Sequence, residues 1–258
     1  MNNEPIICFG QQPNGIFPKR YLYAKIESAK KLQKEIGGRI IFFYHDSDAD
    51  YRETITLMHD LKSGEDVRLN FTQENKTQKK YSPFYKKIIP KGWKEDMINK
   101  LPRVANKSLI EIFKSVEADN ASDFCLEMYK KMGMLDGIEI MRSGDKEFRM
   151  NAEDLDEYYA DIEYEGEIVR AKKEIDGFTL HEGGGSYIKI PAPEKMEKWQ
   201  KNPARDHRFK WMQSVIHATH YVSGKGEGAY LKKDEFPDVV FVTRDMIDED
   251  GYAYLPEL

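Results

Sequence analysis

The run from Pro5 to Tyr44 constrains the fold more than any other part of the chain. Pro5 to Phe9 is a short apolar stretch of the kind that forms a buried strand. It breaks at Gly10 into Gln11-Gln12-Pro13-Asn14-Gly15, a loop built largely of turn-formers. Leu22, Ile26, Ala29, Leu32 and Ile36 then recur at helical spacing, and Gly37-Gly38 supplies the stop signal. Ile40 to Tyr44 reads as a second buried strand. Strand, loop, helix, strand is the βαβ unit that opens a parallel sheet, so the fold class is α/β. Ligands of such sheets bind at the carboxyl ends of the strands. Gly10-Gln11-Gln12 and His45-Asp46-Ser47-Asp48 fall at those two ends.

The pattern continues down the chain as one domain over residues 1–258. Tyr51 to Leu61 has the spacing of a short helix, and Val67 to Phe71 alternates like a half-exposed strand. Helices are expected over Glu95 to Leu101, Asn106 to Glu117 and Ala121 to Met132, the last ended by Gly133. Leu135 to Met141 is a third core strand. Between about 160 and 190, alternating stretches broken at Gly166, Asp176-Gly177 and Gly183-Gly184-Gly185 predict a small inserted antiparallel meander. A short helix over Pro193 to Gln200 and a longer one over Asp206 to Thr219 lead to His220-Tyr221-Val222, and Val239 to Thr243 is the last core strand.

Composition narrows the function. The net charge of -5 shows no basic field that would advertise nucleic acid. Lysines interleaved with aromatics from Lys76 to Lys94 suit either base stacking or lysine stems covering apolar surface, and the acidic balance favours the second. Asn151 to Glu167 holds eight acidic residues and no calcium-loop pattern, so a solvated face is expected. Cys8 and Cys125 lack metal-ligand spacing, and no metal is predicted. His217 and His220 stand three apart on the expected helix, as zinc ligands could, but no third ligand is placed beside them. The absence of a basic leader and of a run of ~20 apolar residues predicts a cytoplasmic protein with no membrane partner.

The chemistry-bearing residues cluster at strand ends. Gly10, Gln11, Gln12 and Asn14 are candidates to orient a small polar substrate. His45, Asp46 and Asp48 have the inventory for proton transfer, or for capping the next helix. Gly224-Lys225-Gly226 frees backbone N–H groups at a helix start, suited to a phosphate or carboxylate. Glu227 there either contacts a ligand or satisfies the helix dipole. Tyr230 and Arg244 complete the binding set, Arg244 as the neutraliser of an anion.

Two strings together resemble one family. Gly10-Gln11-Gln12-Pro13, the helix, the apolar strand and His45-Asp46-Ser47-Asp48 look like the opening of the bacillithiol-biosynthesis cysteine-adding enzymes. Tyr221-Val-Ser-Gly-Lys-Gly-Glu-Gly-Ala-Tyr230, with a strand and Arg244 after it, is similar to that family's Gly-Gly-Pro-Gly-Glu-x-Ala-Tyr segment. The resemblance touches about residues 6–60 and 205–245. It implies a Rossmann-like core of the nucleotidyltransferase type, and a ligase or transferase joining cysteine or a similar amino acid to a small amine such as an amino sugar conjugate. ATP or another nucleotide would be the co-substrate, a small molecule the partner, and the assembly could be a homo-oligomer. The family tends to have Glu-Asp-His-Asp where this chain has His45-Asp46-Ser47-Asp48, and the chain stops soon after the last core strand. It therefore reads as a shortened relative. The alternative is a non-catalytic protein that kept the fold to bind a nucleotide or other small molecule.

Overall fold

The computed structural model describes residues 4–60, 63–101, 107–228 and 231–256. Strand β1 (Ile6–Gln11), helix α1 (Arg20–Ile36) and strand β2 (Arg39–Tyr44) form the expected opening unit. An antiparallel hairpin follows, β3 (Thr56–His59) and β4 (Asp66–Leu69). Helices α2 (Lys76–Tyr81), α3 (Trp93–Ile98), α4 (Lys107–Ser115) and α5 (Ala121–Lys131) then lead to β5 (Ile138–Arg142). Helix α6 (Lys146–Asn151) opens onto β6 (Tyr158–Tyr164), β7 (Glu167–Glu174), β8 (Gly177–Gly183), β9 (Ser186–Ile190) and β10 (Lys201–Pro203). Helix α7 (Arg208–Ile216) returns the chain to β11 (His220–Ser223), and the short α8 (Lys225–Gly228) precedes β12 (Val240–Thr243).

Five of these strands make a parallel sheet in the order β12-β11-β1-β2-β5. Flanked by helices, it is a Rossmann-like α/β fold. The chain moves outward from β1 through β2 to β5, then comes back to lay β11 on the other side of β1. The order reverses there, and the crevice that opens between β1 and β11 is where such sheets bind ligands. The meander is a separate antiparallel sheet, ordered β10-β6-β7-β8-β9, inserted between β5 and β11.

Strand alternation divides the core into two layers. Ile7 and Phe9 of β1, with Ile40, Phe42 and Tyr44 of β2, face Leu22, Ile26 and Ala29 of α1 and the buried sides of α4 and α5. Cys8, Ile41 and Phe43 point the other way, to Phe148 of α6 and Trp211, Met212 and Ile216 of α7. Both faces are apolar because both are covered, so the strands read as unbroken hydrophobic runs. The inserted sheet is tied to the second layer by a buried ion pair. Arg149 of α6 donates to Asp161 of β6 at 2.6 Å, and both side chains are almost fully buried. Asn202 of β10 and the hydroxyl of Tyr85 also donate to Asp161.

Several expectations are corrected. Residues 51–54 form turns and 56–59 a strand, where a helix over Tyr51 to Leu61 was expected. Thr54, Ile55 and Thr56 are β-branched, which lowers helix propensity and favours the pleated hairpin with β4. The segment 193–200 is irregular except for one 3-10 turn at Lys198–Gln200, where a short helix over Pro193 to Gln200 is expected. His217 and His220 do not share a helix face: His217 closes α7 in the left-handed region at φ 53, and His220 begins β11. The lysines of the 76–94 segment cover rings of the fold. Lys79, Lys80, Lys86 and Lys87 lie 5.2–5.5 Å from the ring centroids of Tyr51, Tyr81, Tyr85 and Phe84. Tyr81, Phe84 and Trp93 are buried. Among the described residues no helix is long and apolar enough to cross a membrane.

Candidate functional site

A cleft of about 780 Å³ opens at the switch point between β1 and β11. Its floor is the carboxyl end of β1, its sides are the turn after β2 and the α8 turn after β11, and β6, β7 and the start of α7 close it from above. Gly10, Gln11, Gln12, His45, Asp48, Gly224, Lys225, Gly226, Glu227 and Arg244 all line it. Tyr230 lies outside the described residues.

One hydrogen-bonded chain runs across the floor. Lys25, on the buried face of α1, donates to Glu227 Oε2 at 2.7 Å, to the Gly10 carbonyl at 2.7 Å and to Gln11 Oε1 at 3.2 Å. An ammonium has three donors, and all three are used. Gln11 then donates to Gln12 at 3.0 Å, and Gln12 to Asp48 Oδ2 at 3.2 Å. Arg208 at the start of α7 ends the chain by donating to the same Asp48 oxygen at 3.0 Å. Glu227 also accepts from the Tyr221 hydroxyl at 2.5 Å and from the Gly224 amide at 3.3 Å. The Gly224 amide of the Gly224-Lys225-Gly226 loop is thus taken by the carboxylate of the loop's own glutamate.

The two titratable groups at the end of β2 both have their pKa lowered, for different reasons. Burial lowers the His45 pKa well below its ordinary value, and Arg208 and Lys25 add to the effect while Asp48 partly opposes it. The ring is therefore neutral at pH 7. Burial opposes the charge on Asp48, but Arg208, Arg170, the Ala49 amide and Gln12 outweigh it and hold the carboxyl below the usual carboxylate range. Each group is thereby held in one protonation state at pH 7, His45 neutral and Asp48 ionised. Gly10 makes this geometry possible. A Cβ there would sit 2.7 Å from His45 Nε2 and 2.8 Å from the Tyr221 hydroxyl.

Asp46 and Asn14 stand outside the cleft lining. Asp46 is buried beneath β5, bound by Arg142 at 2.6 Å, by the Gly144 amide at 2.7 Å and by Ser143 Oγ at 3.2 Å. It ties the end of β2 to the end of β5. Asn14 shapes the loop after β1: it accepts from the Lys19 amide at 2.9 Å, its own amide donates to the Tyr129 hydroxyl at 2.8 Å, and its side chain reaches Tyr21, which does line the cleft. Arg244 is largely committed to Asp250 and the Asp245 carbonyl.

Four residues of the site were absent from the sequence-based set. Lys25 carried a signal, since it stands three after Leu22 and four before Ala29, on the apolar face of a helix where a lysine is out of place. Arg208, Arg170 and Tyr159 carried none, because only the tertiary fold brings β6, β7 and α7 over the sheet edge. Among the described residues no group of His, Cys, Asp and Glu is placed to hold a metal ion. No protein-family model matches the chain, and no curated protein matches it.

Proposed function

We propose that the cleft is the substrate site of a ligase or transferase that joins cysteine or a similar amino acid to a small amine such as an amino sugar conjugate, with ATP or another nucleotide as co-substrate. The observation that carries this reading is the continuous polar floor, Glu227–Lys25–Gln11–Gln12–Asp48–Arg208, with a neutral His45 beside it. Such a floor orients polar groups without offering a mobile charge, and the neutral His45 ring can accept a hydrogen bond from an attacking amine. The resemblance of the Gly10–Pro13 and Tyr221–Tyr230 strings to the cysteine-adding enzymes supplies the substrate class. A volume of about 780 Å³ is in the range of small-molecule and cofactor sites. Because Glu227 already takes the Gly224 amide, a nucleotide phosphate would meet the arginines of the opposite wall.

The test is turnover. ATP, cysteine and an amino sugar malate conjugate are mixed with the protein, and amide product and nucleotide hydrolysis are followed by mass spectrometry. Product that forms with the native chain and falls by about 100-fold or more in His45→Asn and Gln12→Ala supports the reading. No amide product from this mixture sinks it.

One observation favours a second reading, a binding protein without catalysis. The loop that would hold a substrate anion is occupied by Glu227, and Asp48 is locked by Arg208. Saturable binding of nucleotide or amino acid with no turnover would select this reading.

A further inference from the structure

Three cations around the floor of the cleft are held in ion pairs. Lys25 pairs with Glu227, Arg208 with Asp48 and Arg244 with Asp250. Arg170 of β7 has no carboxylate at ion-pair distance among the described residues. Its nearest acid by charge, Asp48, is already held by Arg208, and Asp161 is held by Arg149 and Asn202. The Arg170 guanidinium lies over the Tyr159 ring at 3.8 Å from its centroid and donates through NH2 to the Pro203 carbonyl at 2.9 Å. Its Nε is buried with no hydrogen-bond partner. Burial and the like charge of Arg208 both disfavour the charged form, with Asp48, Tyr159 and Asp161 in partial compensation. Arg170, Arg208 and Asp48 together therefore leave one positive charge uncompensated at the wall of a cleft. An uncompensated buried charge is costly unless something completes it.

We propose that Arg170, together with Arg208, binds a phosphate group of the small molecule that occupies the cleft, with Tyr159 holding the Arg170 fork in place. The inference rests on the reading of the cleft as a ligand site, and not on the amide-forming chemistry. Phosphate suits the arrangement better than carboxylate. Two guanidinium groups arriving from different elements, β7 and the start of α7, can share the oxygens of a tetrahedral anion, whereas a planar carboxylate is satisfied by a single fork. The stacking on Tyr159 fixes the plane of Arg170 in advance, so less entropy is lost when the anion arrives. A phosphate here would also lie at the far end of the polar floor from Glu227, which leaves the Lys25 end to another part of the ligand.

The test measures binding without turnover. Inorganic phosphate, ATP and succinate are titrated calorimetrically at low ionic strength into the native chain, Arg170→Gln and Arg170→Lys. Saturable binding of phosphate or ATP by the native chain is expected. It should weaken roughly 10- to 100-fold in Arg170→Gln, the loss of one charge-assisted contact, and recover in part in Arg170→Lys. ATP and phosphate competing for the same sites would assign the phosphate to a nucleotide; phosphate binding without ATP binding would assign it to another phosphorylated ligand. Equal affinity in the native chain and Arg170→Gln, no saturable binding of either phosphate ligand, or succinate binding in preference to both overturns the proposal. Arg170 also holds Pro203, so the variants' melting curves are compared first. Tyr159→Leu keeps the Pro203 contact and should weaken phosphate several-fold; if Arg170→Gln does not fold, unchanged binding in Tyr159→Leu and Arg170→Lys overturns it. Phosphate binding that survives while no amide is ever made would remove the ligase reading and leave this one standing.

Discussion

Lys25 Nζ and Glu227 Oε2 lie 2.7 Å apart, 202 residues apart in sequence, and their contact seals the switch point of the sheet. The lysine side chain is 4% exposed, so neither partner can be removed without stranding the other. Lys25→Met is expected to lower unfolding stability by about 3–5 kcal/mol, the usual consequence of breaking a buried pair from one side. The double variant Lys25→Met/Glu227→Gln should lose less than the sum of the two single variants. Urea denaturation followed by fluorescence measures all three, and strictly additive losses would contradict the pairing.

Gly10→Ala should act on the site and on the fold together. The added methyl meets both the His45 ring and the Tyr221 hydroxyl at distances no real contact tolerates. Overpacking of this kind costs about 1–3 kcal/mol. The expected result is a folded but less stable chain whose histidine ring signal moves in the NMR spectrum. An unchanged His45 resonance would show that the ring does not rest against Gly10.

Lys87 gives the fold a pH dependence. Its ammonium is buried beneath α2, donating to the Ala49 and Lys79 carbonyls at 2.8 and 2.5 Å, and among the described residues no carboxylate lies at ion-pair distance from it. Burial brings its pKa down to about 7, although Asp48 and Asp50 pull the other way. Above pH 7 the folded chain has shed this proton and the unfolded chain has kept it, so Lys87 makes stability rise with pH until the unfolded lysine titrates near 10.4. The slope from one such proton is about 1.4 kcal/mol per pH unit. Lys87→Met should remove this slope, so that the native-minus-variant stability difference rises with pH across the window, and denaturation at pH 7, 8 and 9 tests it.

Asp161→Asn should loosen the inserted sheet. It removes the charge that Arg149, Tyr85 and Asn202 all address, and Arg149 is left buried without a counter-ion. A loss of about 3–5 kcal/mol is expected. Hydrogen exchange should quicken first in β6 and β7, and protection there equal to that of the native chain would refute the anchoring role.

The central sheet was legible because both of its faces are covered. Pro5 to Phe9, Ile40 to Tyr44 and Val239 to Thr243 are largely apolar runs, Leu135 to Met141 carries Ile138, Ile140 and Met141, and a strand lies in each. The meander announced itself through alternation and its glycines. The hairpin of β3 and β4 was misread on its first strand because Ile55, Met58 and Leu61 also satisfy a helical period, and only the β-branched Thr54-Ile55-Thr56 argued otherwise. At the site, the loop residues Gln11, Gln12, His45, Asp48 and Glu227 were visible as polar breaks after strands, and the fold gathers them along one cleft. Asp46 and Asn14 look the same in sequence but are turned inward to hold β5 and the first loop. Arg170 and Arg208 could not be found, since the physics that makes them neighbours is long-range packing of two separate layers.

The position of β1 also governs when the molecule becomes complete. Its other edge pairs with β11, and Thr219 just before β11 donates its amide to the Ile6 carbonyl and accepts the Ile6 amide on its hydroxyl, across 213 residues of chain. Until that segment is synthesised, the middle strand of the sheet has one open side, with Ile7 and Cys8 bare on the edge that Tyr221 will cover. An unpaired strand edge is a template for other chains. Substitutions that delay the docking of α7 and β11 will therefore register first as aggregation during synthesis, before any change in the finished cleft can be measured.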